Sequence, residues 1–334
     1  MDAVREQTAR LSGVPAVLLA ILLLLASLIF SVSVGSSHIP PDQVIAALFG
    51  GGTPHSTLII TGLRLPRALT GAIVGMCLSL SGCILQAIMR NHLASPSTIG
   101  VTAGASFAGY LCLVAVPALA PQLPLFAFLG AFATTMLVYV LARRGGTSST
   151  QLILSGLAIS ALFSAFSDLI RTFFSENLQN AAGFLVGGLN GVVWEQFRPI
   201  APYAALGIAL CFLLPRKMNV LLLGEETALS LGLDVQRFRF SLIVCSSLLA
   251  GAAISVVGML SFVGLIVPHI ARLIVGSDHY RLLPLSALLG ATIVTLCDGV
   301  GRIVMEPGEI PVSIIMGCLG APFFLYLLRS KRQG

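Results

Sequence analysis

Long uncharged stretches, interrupted by Pro, Gly and short clusters of charge, organise this chain. A helix needs about 20 apolar residues to cross the hydrocarbon layer of a membrane. Reading the uncharged runs against that length predicts spans near 14–34, 67–89, 97–116, 124–142, 150–172, 193–214, 239–262, 264–276, 283–302 and 311–328. The pattern is that of an all-α membrane protein of about ten transmembrane helices, folded as one polytopic domain over residues 1–334. The run from Phe240 to Ala271 carries no charge and exceeds one bilayer crossing, so it has to turn. Gly258, Gly264 and Pro268 are the residues expected to let it. The apolar run from Val14 to Val34 follows Arg5 and Arg10 and is too long for the core of a cleaved signal, so it reads as a retained first span.

Composition agrees with the pattern. The chain is 56% hydrophobic and 10% charged, against roughly 25% charged in ordinary soluble domains, and its mean hydropathy is +0.97. Soluble, disordered and secreted disulfide-framework classes are thereby excluded. The seven cysteines all fall in apolar stretches without CxxC or ligand spacing and read as small packing residues. The net charge of +6 is scattered over short loops instead of gathered on one face, which argues against nucleic acid.

Ten spans put both termini on one side, and the bias of Lys and Arg toward cytoplasmic loops assigns that side. With the termini in the cytoplasm, 14 of the 19 basic residues lie inside: Arg5, Arg10, Arg90, Arg143, Arg144, Arg216, Lys217, Arg237, Arg239, Arg272, Arg281, Arg329, Lys331 and Arg332. Arg64, Arg67, Arg171, Arg198 and Arg302 remain outside and require a reason.

The residues of chemistry are sparse. The only lysines are Lys217 and Lys331, and neither completes the GxxxxGK[ST] loop that cradles nucleotide phosphates. No carboxylate or lysine falls clearly at mid-span, where ion-coupled carriers keep an ionisable group. Asp168 and Asp298 lie toward the outer ends, with Arg171 at i+3 and Arg302 at i+4, a spacing that predicts local ion pairs. His38 and His55 fall in the first outer loop, His92 and His279 in inner connections, and His269 after a proline. None has metal-ligand spacing, and no nucleophile and base converge, so an enzyme is not expected.

Two segments stand out. Gly156, Ser160, Ser164, Ser167 and Arg171 recur at i, i+4, i+8, i+11 and i+15, one face of the fifth span. That face is either a close packing seam, with hydroxyls bonded back to the i−4 carbonyl, or the wall of a water-filled path. Gly71 with Gly75 and Gly100 with Gly104 read as packing seams. Between the sixth and seventh spans, Gly224-Glu225-Glu226-Thr227-Ala228-Leu229-Ser230-Leu231-Gly232 reads as a short helix with acidic residues at its positive start and glycine at its end. Ala228, Leu229 and Leu231 would then offer an apolar face to a partner.

The sequence resembles the FecCD-type permeases of ATP-binding-cassette importers for iron-siderophores, haem and cobalamin, over nearly its whole length. The resemblance is carried by Arg64-Leu65-Pro66-Arg67, Ser81-Gly82, Gln86, and Arg90-Asn91-His92-Leu93-Ala94-Ser95-Pro96 with Gly100 and Gly104-Ala105. It continues through the GEETALSLG loop, Phe262 to Arg272, Gly276 with Asp278-His279, Asp298 with Arg302, Glu309-Ile310-Pro311 and Gly320 to Phe324. His92 and Ser313 depart from the family pattern, which has proline and glycine there.

The resemblance implies a cobalamin-permease-like fold of the type II importer class, set in the inner (plasma) membrane. Its implied partners are a second permease subunit, identical or related, two cytosolic ATPase subunits that carry ATP and Mg, and a substrate-binding protein on the outer side. No cofactor or metal is expected on this chain. By the same resemblance, the loop at about 216–237 couples to the ATPase through Gly224, Glu225, Glu226, Ala228, Leu229, Leu231 and Gly232. Arg64, Arg67 and Arg302 meet acidic residues of the binding protein, and the Gly156-to-Arg171 face suits the translocation path. The competing class is a carrier driven by an ion gradient.

Overall fold

A computed structural model describes residues 13–35, 37, 39–143, 149–305 and 308–330, and these form helices and turns without strands. Arg5, Arg10, His38, Arg144, Lys331 and Arg332 lie outside the described residues. Ten apolar helices occupy the places that the uncharged runs mark: α1 (Gly13–Ser33), α2 (Leu65–Met89), α3 (Val101–Tyr110), α4 (Leu123–Arg143), α5 (Ser149–Phe173), α6 (Trp194–Phe212), α7 (Val235–Val257), α8 (Val263–Val275), α9 (His279–Val304) and α10 (Val312–Ser330). Six are long and apolar enough to cross a membrane. A seventh span is the bent pair of α6 with the helix Pro215–Leu222, which turn 55° at their break, and α3, α8 and α10 are shorter apolar helices.

The bundle is built around α2. Its sequence is rich in small residues, and 89% of its most apolar window is buried within the chain. In lipid there is no hydrophobic gain from packing one apolar helix on another, so close backbone approach and interhelical hydrogen bonds supply the attraction. Both are present. A Cβ on Gly75 would overlap the Gly290 carbonyl of α9, and one on Gly82 would overlap the Gly264 carbonyl of α8. On the side toward α7, the hydroxyls of Ser81 and Ser246 lie 2.7 Å apart. The Gly71/Gly75 and Gly100/Gly104 pairs are packing seams as read: Gly71 faces Leu189, and Gly104 faces Gly130 and Thr134 of α4.

The long uncharged run from Phe240 does turn, though not where all three breaker residues predict. The break is at Gly258, with φ 70°, and at Phe262, with φ 68°. The left-handed conformation at Phe262 is uncommon for a bulky residue, and it caps the start of α8. Gly258 is required by space as well, since a Cβ there would meet the Phe184 carbonyl. Gly264 instead serves the contact with α2, and Pro268 lies within α8. Six cysteines are buried as packing residues, whereas Cys318 on α10 is exposed.

Overpacking the α2–α8 crossing has a direct expectation. Gly82→Val should cost about 1–3 kcal/mol or more and lower the thermal unfolding midpoint of the purified chain. Gly183→Ala, at a helical glycine with open space around its Cβ position, should leave it unchanged; equal midpoints for the two variants would contradict the crossing described.

Candidate functional site

At the end of the bundle where α2 begins and α9 finishes, charge is concentrated and enclosed. Arg67 forms a bidentate pair with Asp298, Nη2 to Oδ1 at 2.9 Å and Nε to Oδ2 at 3.0 Å. Its Nη1 donates to Glu309 at 2.9 Å and its Nη2 also to Asn190 at 3.0 Å. Arg302 makes the expected i+4 contact, Nε to Asp298 at 3.3 Å. The rest of its guanidinium donates to the last carbonyls of α1, Ser31 and Val34, at 2.8 Å each. Arg64 donates to the Val32 and Ser33 carbonyls at 3.2 and 2.8 Å, and to that of Ser37. Two cations therefore cap the negative end of α1, where free carbonyls and the helix dipole favour positive charge.

This placement gives the outer arginines partners within the chain that the sequence reading did not include. Arg64 and Arg302 are only 6% and 3% exposed, because the α1 carbonyls and Asp298 are partners that water-facing side chains would leave unsatisfied. They do not stand on the surface. With Arg67, which also holds Glu309, they line a cavity of about 220 Å³ bounded by Gly191 to Val193. Three guanidiniums against two carboxylates leave the cluster with one positive charge in excess.

The α5 stripe divides between the two readings set out for it. Gly156 is a packing residue, since a Cβ there would overlap the Thr98 carbonyl, and Ser167 bonds back to the Phe163 carbonyl at 2.8 Å. Ser160, Ser164, Ser167 and Arg171 nonetheless line a cavity of about 410 Å³, whose opposite wall is Thr102, Ser106 and Tyr110 of α3. Arg171 pairs with Asp168 at 3.3 Å, as the i+3 spacing predicts, and its guanidinium lies 4.7 Å from the centre of the Tyr110 ring. The α3 wall and Met259, which also lines the cavity, carry no signal in the sequence strong enough to find them.

At the opposite end, Glu225–Ser230 forms the expected helix. Glu225 is drawn inward to Arg239 of α7 at 3.1 Å. Ala228 is fully buried in the main core, while Leu229 and Leu231 are 56% and 62% exposed. The predicted apolar face is corrected accordingly. Ala228 turns into the chain because it lies one turn after Gly224, on the side that rests on the bundle, and Leu229 and Leu231 with Leu223 remain outward. Glu226, Thr227 and Gly232 are exposed beside them.

A family model described as the FecCD transport family matches residues 22–330. The chain is 37% identical over 316 residues to the Fe(3+)-citrate import system permease protein YfmD of Bacillus subtilis, covering 95% of both chains. It is 39% identical over 326 residues to the achromobactin transport system permease protein CbrC of Dickeya dadantii, covering 97% of this chain and 93% of that one. With the cobalamin import system permease protein BtuC of Halobacterium salinarum it shares 39% over 282 residues, 84% of this chain and 76% of the relative. Among solved structures, an inward-facing one assigned to the metal-chelate type of ABC transporter aligns with TM-score 0.85 at 32% identity, covering 94% of this chain and 98% of that one.

The two aspartates separate by burial. Asp298→Asn leaves two enclosed guanidiniums without their shared counter-charge and should cost about 3–5 kcal/mol. Asp168→Asn, in a pair whose side chains are 67% and 52% exposed, should cost less than about 1 kcal/mol. Unfolding of the purified variants in denaturant checks the ranking, and a reversed order would refute the assignment of Asp298 as the hub.

Proposed function

This chain belongs to the FecCD transport family, and we propose that it is the membrane-spanning permease subunit of an ATP-binding-cassette importer that moves a metal chelate into the cytoplasm. The observation that supports this most is the family match over residues 22–330, joined to near-full-length similarity to permeases named for ferric citrate, achromobactin and cobalamin. The chain does no covalent chemistry in this reading. ATP, with Mg, is bound and hydrolysed on two separate cytosolic subunits.

The path is formed where α3 and α5 enclose the hydroxyl-lined cavity, closed by a second permease subunit, identical or related, against the exposed apolar side of α5. Leu154, Leu157, Leu162 and Leu169 are all exposed there, which suits burial against a neighbouring chain or lipid. Hydroxyls offer weak, replaceable hydrogen bonds, suited to a bulky chelate that must be released as readily as it is accepted. Both termini lie in the cytoplasm, so the 225–230 helix faces the ATPase and presents Leu229, Leu231 and Glu226. Closure of the ATPases on ATP then tilts the spans through this contact. A binding protein docks at the opposite end, where its carboxylates reach the excess positive charge by entering the cavity of Arg64, Arg67 and Arg302.

Sealed vesicles holding the permease with its ATPase test the whole reading. Uptake of a ferric siderophore or cobalamin should require both enclosed ATP and the binding protein, and persist with an ionophore present. Uptake abolished by the ionophore while ATP remains would favour the ion-gradient carrier. The half-saturating concentration of binding protein should rise with salt, as charge-steered docking requires; a salt-independent value removes the arginine cavity from the docking surface. For coupling, Leu229→Asp with Leu231→Asp should abolish ATP-driven uptake while leaving the thermal midpoint of the chain intact, whereas Ala228→Asp should lower the midpoint itself. Normal uptake in the double variant would remove this helix from the coupling contact.

A further inference from the structure

A second basic site, partly open to the surface, lies at the end of the bundle that carries the 225–230 helix, and none of the transport machinery described above uses it. A cavity of about 200 Å³ is lined by Gln86, Arg90, His92, Arg272, Ser277 and His279, together with Ala87 and Leu222. Its walls come from separate segments: the end of α2, the end of the 215–222 helix, and the turn from α8 into α9. Two arginines and no carboxylate line it. Neither arginine takes part in an ion pair among the described residues.

The hydrogen bonding leaves the site incomplete. Arg272 donates from Nη2 to the Gln86 amide oxygen at 3.0 Å, but its Nη1 is buried and has no partner. Arg90, held with φ 45° at the end of α2, uses one Nη on the Leu221 carbonyl at 3.2 Å and keeps further N–H groups. The nearby Asp278 is occupied elsewhere: it accepts from Asn219 at 2.7 Å and from the Tyr280 N–H at 3.1 Å. Arg272 is half-buried, and a guanidinium withdrawn from water with a buried N–H that lacks an acceptor is destabilising until an anion meets it. The outer arginines answer the same demand with Asp298 and Glu309. Here no carboxylate among the described residues lines the cavity.

We propose that this cavity is a binding site for a phosphate group, seated between Arg90 and Arg272 with the Ser277 hydroxyl as a further donor. Guanidinium forks match phosphate oxygens bidentately. A carboxylate presents its acceptor positions in one plane, whereas the oxygens of a tetrahedral phosphate point in separate directions, which suits donors converging from two arginines and a hydroxyl on different segments. The volume also suits a small oxyanion with bound water, since a water occupies about 30 Å³. The phosphate is either free in solution or the headgroup of a phospholipid at the membrane surface. Bound there, it ties α2, the 215–222 helix and the α8–α9 turn into one unit, immediately beneath the 225–230 helix.

Thermal unfolding of the full chain in a neutral detergent tests this without any transport assay, so its failure leaves the permease reading untouched. One arm compares sodium phosphate with sodium chloride at equal ionic strength; the other compares dioctanoyl phosphatidic acid with dioctanoyl glycerol. Phosphate in at least one form should raise the midpoint by a few degrees, as ligation of the folded state alone requires. A rise with inorganic phosphate assigns the soluble source, and a rise confined to phosphatidic acid assigns the lipid. Arg272→Gln should abolish the response. Ser277→Glu, which places a carboxylate in the cavity, should have the raised midpoint without added phosphate and respond to none, so the test holds even if the Arg272 variant does not fold. A wild-type chain indifferent to both phosphate forms, or either variant responding as wild type does, would overturn the proposal.

Discussion

Asp298 is the residue on which the outer end of this bundle depends. Its carboxylate is 2% exposed and receives Arg67 of α2 through both oxygens and Arg302 from its own helix. Arg302 in turn holds the last carbonyls of α1. One carboxylate thus determines how α1, α2 and α9 meet, because each arginine it neutralises is also bonded to another element. Without it two enclosed cations would repel each other in a medium too dry to screen them. Glu309, just before α10, extends the same arrangement to the last helix through Arg67. The electrostatic account and the packing account are therefore one: the ion pairs fix the ends of helices whose middles touch through glycines.

Those glycine contacts give the middle of the bundle a different mechanical character. At Gly75–Gly290 and Gly82–Gly264 backbone meets backbone, leaving no side chain whose rotamer could yield. A crossing of that kind does not deform in small steps; it holds or it separates. Any motion that opens a path should leave α2, α8 and α9 together as a body and move the elements joined to them less tightly. The hydroxyl-lined cavity lies between α3 and α5, and α5 is one of the least enclosed helices, with 22% of its apolar window buried. The wall of the proposed path sits where the chain can most easily give.

The places of the apolar helices were legible because hydrophobic length is a local property, and the uncharged runs mark all ten, of which six are long and apolar enough to cross a membrane by themselves. The pairs Asp298–Arg302 and Asp168–Arg171 were legible too, since i+4 and i+3 spacing places them on one helical face. What could not be read is what lies far apart in sequence. Arg67 and Asp298 are separated by 231 residues, so Arg64 and Arg67 looked free for a partner when the carbonyls at the end of α1 and the carboxylates of Asp298 and Glu309 had already engaged them. Ala228 shows the same limit on a smaller scale. In GEETALSLG its apolar character is indistinguishable from that of Leu229 and Leu231, and only the way the short helix rests on the bundle separates the inward residue from the outward two. The turn after α7 failed for a related reason: a glycine can serve a bend or a close approach, and Gly264 serves the second.

The two ends of the bundle treat positive charge in different ways: it is buried and paired at one, and partly exposed without an ion pair among the described residues at the other. At the Asp298 end three arginines are met by two carboxylates and by a helix terminus from the same chain, so the arrangement is complete before any partner arrives, save for one charge in excess. At the opposite end Arg90 and Arg272 face a cavity with no carboxylate in its walls, and a buried N–H of Arg272 waits for an acceptor. A permanent internal counter-ion would lock the end of α2 to the α8–α9 turn, the junction beside the 225–230 helix. An exchangeable anion leaves that junction able to tighten or loosen. In the reading proposed above this end faces the ATPase and transmits movement, and a charge neutralised from outside the chain is the form of stability that can be given up and regained.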